Sequence, residues 1–234
     1  MKKIVAFIML LNLTACAELQ QVVNQLPTGT GTTSALDIAG GLREALDLGI
    51  DKQVSKLTLE DGFYKNELVK ILLPEELQKV DSALRKIGLS SLADEGLKVL
   101  NRAAEDAVSE ATPIFVNAVK GITFTDAKDI LLGNKDAATQ YLNTKTQTEL
   151  YAKFNPVIKT SFSKVGADEI WSNLITRYNA IPFTSDVNPD LTDYVTTQAL
   201  SGVYKMIAVE ELEIREKVGS RTTALLQKVF ALQD

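Results

Sequence analysis

Histidine is absent from this chain of 234 residues. That removes Ser-His-Asp triads, histidine general bases, histidine-ligated zinc and carboxylate-histidine di-iron sites together. Cysteine occurs once, at Cys16, so an internal disulfide, a redox pair and a zinc knuckle are excluded. Dense basic runs are missing. Lys and Arg number 25 against 30 Asp and Glu, for a formal net charge of −5. Such a surface argues against nucleic acid as a partner, because phosphate binding needs clustered cations. The chain has no Gly-x-Ser-x-Gly elbow, and no Ser-x-x-Lys accompanied by its usual partners. What remains for catalysis is carboxylates, Lys, Tyr, Ser/Thr or a borrowed cofactor. The longest apolar run, Ile4 to Leu13 broken by Asn12, is far short of the ~20 residues that span a bilayer.

What is present begins with that run. Lys2-Lys3 precede it, and Leu13-Thr14-Ala15-Cys16 follows it. This is the order of a lipoprotein signal: a basic start, a short apolar stretch, small residues, then the cysteine that receives the lipid. Residues 1–15 are therefore expected to be cleaved, leaving Cys16 with a thioether-linked diacylglycerol and an N-acyl chain such as palmitate. No other cofactor is expected. Ala17, rather than Asp, after the cysteine favours the outer membrane over retention at the inner one, and the expected location is its periplasmic face. Residues 16–34 contain Pro27, Gly29, Gly31 and several Thr, the composition of a tether. Gly29 and Gly31 are not a phosphate loop, since no Gly-Lys-Ser/Thr follows.

Residues 35–234 read as one all-α domain of about nine helices. Ser34 is placed to cap the first, in which Leu36, Ala39, Leu42, Leu46 and Ile50 recur at helical spacing. Asp61-Gly62 marks a turn. Leu68 to Leu73 is either extended or a last helical turn. Pro74-Glu75-Glu76 starts a helix that stops at Gly88. The next runs from about Leu92 until Pro113 kinks or ends it. Thr125-Asp126 opens another, closed by Gly133 as a left-handed cap. Ala137–Asn143 and Thr146–Val165 read as two helices, the second disturbed by Pro156. Asp168–Ala180 is helical, 181–189 is a loop, Leu191–Lys217 is the clearest helix, and Arg221–Leu232 closes the chain.

Several stretches in this order resemble a family of bacterial lipoproteins known only as a domain of unknown function, number 4197 in its series. They are Gly62-Phe63-Tyr64-Lys65-Asn66 with Leu73-Pro74-Glu75-Glu76-Leu77; Leu84-Arg85-Lys86-Ile87-Gly88-Leu89; Asn101-Arg102-Ala103-Ala104-Glu105; Thr123-Phe124-Thr125-Asp126-Ala127 with Ile130-Leu131-Leu132-Gly133; Ala137-Ala138-Thr139-Gln140-Tyr141-Leu142; Asp193-Tyr194-Val195-Thr196; and Glu210-Glu211-Leu212-Glu213-Ile214-Arg215. The family's Asn-Pro before the final helix is replaced here by Lys217-Val218-Gly219-Ser220. The resemblance implies a helical, exported lipoprotein and brings no catalytic residue with it.

Three polar groupings are candidates for chemistry. In the helix Leu191–Lys217, the apolar stripe Leu200, Val203, Tyr204, Ile207 leads onto Glu210, Glu211 and Ile214, with Arg215 four residues beyond Glu211. Either this is a paired-carboxylate site for acid/base or metal chemistry, or it is a buried Glu-Arg network with Arg221 nearby. The Arg at helical spacing favours the network. Glu110 falls on the small-residue face of Ala103, Ala107 and Ile114 and is a candidate member, whereas Arg102, Glu105 and Asp106 read as solvated surface pairs. Asp186, Asn188, Asp190 and Asp193 form an oxygen-rich loop reminiscent of a calcium site. Leu191 and Thr197 stand where an EF-hand needs Gly and Glu, so Asp190 reads better as a helix cap. The expected function is a non-catalytic binding or scaffolding role, with membrane contact through the lipid and an envelope protein or lipid as partner. Its rivals are a carrier of an apolar ligand, which needs a cavity of several hundred Å³ on the scale of ligand pockets, and an enzyme using Glu110, Glu210 and Glu211.

Overall fold

The first helix, α1 (Ala35–Leu57), presents Ile38, Leu42, Leu46, Ile50, Val54 and Leu57 along one buried stripe. Amphipathic spacing of this kind forces burial against other helices. The computed structural model describes residues 35–86, 88, 90–166, 171, 172, 175, 176, 179, 188 and 190–234. Cys16, the residues before it, the 16–34 segment with Ser34, and Asp186 lie outside the described residues, as does most of 167–187. Among the described residues the other helices are α2 (Glu75–Lys86), α3 (Ser90–Val108), α4 (Ala111–Lys120), α5 (Phe124–Leu132), α6 (Ala137–Lys164), α7 (Thr192–Glu216) and α8 (Ala224–Phe230), and no strand occurs. None of these helices is long and apolar enough to cross a membrane. The all-α class expected from the sequence is the observed one.

The long helices carry the core. α7 packs on α6, α1 and α3; α6 also meets α3, α4 and α5; and α1 is flanked by α4, α5 and α8. Two small-residue contacts set the spacing. Gly41 in α1 lies against Val229 of α8, so close that a Cβ there would sit 2.6 Å from the Val229 methyl. Gly202 in α7 lets the wholly buried Phe63 ring approach to 2.8 Å from where its Cβ would be. Side chains at these positions would overpack the interface.

Four local expectations are corrected. Residues 137–164 form one helix. Leu142, Thr146, Leu150, Phe154, Ile158 and Phe162 are all buried at four-residue steps, so Thr146 continues the stripe. It donates to Leu142 O at 2.7 Å and, its proton thus committed, accepts from the Tyr204 hydroxyl at 2.8 Å. The packed stripe also carries the helix through Pro156, whose local penalty it outweighs. The helix expected from Leu92 starts at Ser90 and ends at Val108; Pro113 falls in the first turn of α4, where a missing N–H is harmless. α5 starts at Phe124, one residue earlier than expected, because Thr123 and Asp126 form a capping box: Thr123 Oγ1 accepts from Asp126 N, and Asp126 accepts from Thr123 N. Gly133 is extended (φ −79°, ψ −170°), not left-handed. Gly88, at φ +84°, does take the left-handed conformation after α2.

Candidate functional site

The carboxylates of α7 point in different directions. Glu211 reaches the junction of α5 and α6, where it accepts from Ala138 N and Thr139 N at 2.9 Å each and from Thr139 Oγ1 at 2.9 Å. Those two backbone N–H groups belong to the first turn of α6, which has no intrahelical partners for them and carries partial positive charge. Arg215 closes the other side of the carboxylate, with Nε at 3.0 Å and Nη2 at 2.8 Å from Oε1. Its guanidinium also donates to Ile130 O and Leu131 O at the end of α5. Glu211 and Arg215 are each 8% exposed. One α7 ion pair therefore ties the last turn of α5 to the first turn of α6.

Glu210 faces α1 instead. Lys52 Nζ and Gln53 Nε2 each approach its carboxylate to 2.6 Å. The Gly49 backbone makes room for its Cγ. Arg221 stays out of both carboxylates and closes the C-terminal end of α7, donating to Ile214 O at 3.0 Å and Arg215 O at 2.9 Å and pairing with Asp234. Glu210, Glu211 and Arg215 line a cavity of about 20 Å³ with Leu42, Ile207 and Phe230, room for one water.

Glu110 does not join this group. The turn Ser109-Glu110 separates α3 from α4, so the helical face it was read onto is interrupted there, and the side chain is exposed. Glu105 and Arg102 are corrected in the opposite sense. Glu105 is 5% exposed; it accepts from Phe63 N at 3.0 Å and pairs with Arg102 at 2.7 Å. Arg102 bridges onward to Asp61 and Glu60, and Asp61 occupies the one positive φ (66°) among the described non-glycine residues. One turn earlier, Asn101, fully buried, brackets Ile71 by accepting from its N–H at 2.8 Å and donating to its C=O at 2.9 Å. This second polar clamp fixes the irregular chain 58–74 onto α3. A local helical pattern cannot show it, because its partners lie about 30 to 42 residues away.

The oxygen-rich loop also resolves into turn chemistry. Asn188 Oδ1 accepts from Asp190 N at 3.0 Å, Asp190 Oδ1 accepts from Thr192 N at 2.9 Å at the start of α7, and Asp193 takes the Tyr151 hydroxyl. The Thr192 hydrogen bonds hold the Asp190 carboxyl below its ordinary value of 3.8, and the Thr123 bonds do the same for Asp126. Among the described residues, no group of three or more Asp, Glu, Cys or His is placed to hold a metal ion.

A pH dependence follows. Both carboxyls are more acidic folded than unfolded, so their contribution is complete above the unfolded value and disappears as pH falls through the folded one. The melting midpoint is expected to hold from neutral pH down to near 4 and to drop below it. Asp190→Asn should flatten that drop in a melting series across pH; an unchanged acid slope would show that the Asp190 turn onto Thr192 N does not contribute.

Residues 32–231 match the model of a family described as protein of unknown function (DUF4197). The chain belongs to that family. It matches no curated protein and no solved structure. The stretches on which the family resemblance was read meet one another in space: Asn101 and Glu105 hold 63–71, and Glu211 and Arg215 hold 130–139. In this member the family-like motifs thus carry hydrogen bonds between segments far apart in the chain.

Proposed function

We infer that this chain is a lipoprotein of the bacterial envelope, anchored through Cys16 to the periplasmic leaflet of the outer membrane, whose helical domain acts by binding or scaffolding and not by catalysis. The observation that carries the non-catalytic part is the engagement of the α7 carboxylates. Glu211 is saturated by Arg215 and the start of α6, and Glu210 by Lys52 and Gln53. Neither carboxylate is left as a free acid, base or ligand, and Glu110 stands apart. The lipid-carrier reading needs an enclosed apolar cavity; the one beside α7 holds about 20 Å³, and the larger spaces of about 540 and 300 Å³ are open surface grooves with charged and amide side chains in their walls. The anchor rests on Lys2-Lys3, the short apolar run and Leu13-Thr14-Ala15-Cys16.

The anchor is tested by feeding cells labelled palmitate and comparing the wild type with Cys16→Ser. The wild type should incorporate label and sediment with the outer membrane. The variant should remain an unlabelled, uncleaved precursor. Normal processing of Cys16→Ser would overturn the anchor.

A further inference from the structure

The chain between Asn66 and Pro74 ends in a short non-helical strap. Val69 closes a turn on Asn66, and burial alternates in the chain after it: Ile71 and Leu73 are buried, while Leu72 between them is 55% exposed. Alternation of this kind is the signature of an extended segment. Both backbone groups of Ile71 meet the single carboxamide of Asn101, which requires its N–H and C=O to point to the same side. Asn101 thus plays the part of a neighbouring strand on the inner edge. On the outer edge the groups belong to Lys70 and Leu72. Lys70 N donates to Asn66 O, and Leu72 O accepts from the Tyr194 hydroxyl at 2.8 Å. Lys70 C=O and Leu72 N–H have no partner among the described residues.

These two groups are one residue apart on one edge, the spacing at which an adjacent strand offers its own C=O and N–H. They border an open groove of about 540 Å³ walled by Lys70, Leu72, Glu75, Gln78, Tyr194 and Gln198. Its walls supply two side-chain amides, one charge of each sign and an exposed leucine. A strand edge without a sheet is a template for one more strand.

We propose that the outer edge of the 70–73 strap binds an extended peptide segment of a partner protein by strand addition, with Leu72 N–H as the anchoring donor and the α2–α7 groove receiving the peptide's side chains. The proposal rests on the binding reading of the domain and not on the anchor. An apolar surface alone would not select a peptide backbone over other occupants; the unpaired donor and acceptor on one edge do.

The test uses the full chain in detergent and a phage-displayed library of random linear peptides. Enriched peptides should bind the wild type and slow hydrogen exchange at the Leu72 amide about tenfold or more. Leu72→Pro removes that donor, which has no partner within the protein, together with the leucine side chain, and should weaken binding about tenfold. Leu72→Ala keeps the donor and should retain more of the affinity. If Leu72→Pro fails to fold, amide exchange in the unsubstituted protein still decides. Peptides that bind while Leu72 exchange is unchanged would overturn this site and leave the domain a binding module. No enriched peptide, or protection of Leu72 by soluble glycan fragments in place of peptides, would also overturn it. Palmitate labelling at Cys16 is read independently of all three.

Discussion

Glu211→Gln is expected to lower the unfolding free energy by about 3–5 kcal/mol, the range for removing one partner of a buried ion pair. The carboxylate accepts five hydrogen bonds, from Ala138 N, Thr139 N, Thr139 Oγ1 and both Arg215 nitrogens that face it. A carboxamide supplies one accepting oxygen and turns an NH₂ toward groups that are themselves donors. Arg215 is then buried with its charge uncompensated, held by Ile130 O, Leu131 O and at most the one carboxamide oxygen. The first turn of α6 loses the negative charge that offsets its dipole, a smaller effect of about 0.3–1 kcal/mol. Desolvation of the guanidinium is therefore the dominant cost. Denaturant melts of the two proteins measure it. A difference within about 0.5 kcal/mol, the size of an ordinary surface substitution, would leave Glu211 free for another role.

Asn101→Ala is the second large effect, expected at about 2–5 kcal/mol. Its carboxamide is the sole hydrogen-bond partner of Ile71 N–H and C=O among the described residues, and Ile71 is 2% exposed. Truncation orphans one buried donor and one buried acceptor, at about 1–3 kcal/mol each. Water entering the space left by the side chain would bring the result toward the lower end. Asn101→Asp separates the two halves of the clamp: it retains an acceptor for Ile71 N–H but sets a carboxylate against Ile71 C=O. Its destabilisation should not be smaller than that of Asn101→Ala. In amide-exchange measurements, Ile71 should lose protection in Asn101→Ala before the α6–α7 core does. Equal protection in variant and wild type would show that the strap is held by packing of Val69, Ile71 and Leu73 instead.

These two clamps mark where sequence reading succeeds and where it stops. The Glu211–Arg215 pair is visible because i,i+4 spacing makes it a local fact of one helix. Its role is not local: Ala138 and Ile130 are more than 70 residues away, and no periodicity announces which helix ends the pair will satisfy. The same holds for Glu210, whose partners Lys52 and Gln53 lie on α1. Glu110 was misplaced because periodicity was carried across Ser109-Glu110, where the helix breaks before Pro113. Glu105 and Asn101 carry no local sign of burial, because polar residues on a helix are usually solvated; only the fold of 58–74 over α3 buries them. The division of α6 failed for a related reason. Thr146 has poor helix propensity and a capping side chain, yet its place in the four-residue stripe and its bond to Tyr204 put it in the core. The all-α class was legible throughout, since it depends on helical apolar spacing repeated in nearly every segment.

The α7 carboxylates hold helices together. A double-mutant cycle on Glu211→Gln and Arg215→Met measures this most directly. The pair should show coupling of about 2 kcal/mol or more, the double variant being less destabilised than the two single losses added. Single variants with wild-type stability, or losses that simply add, would contradict it.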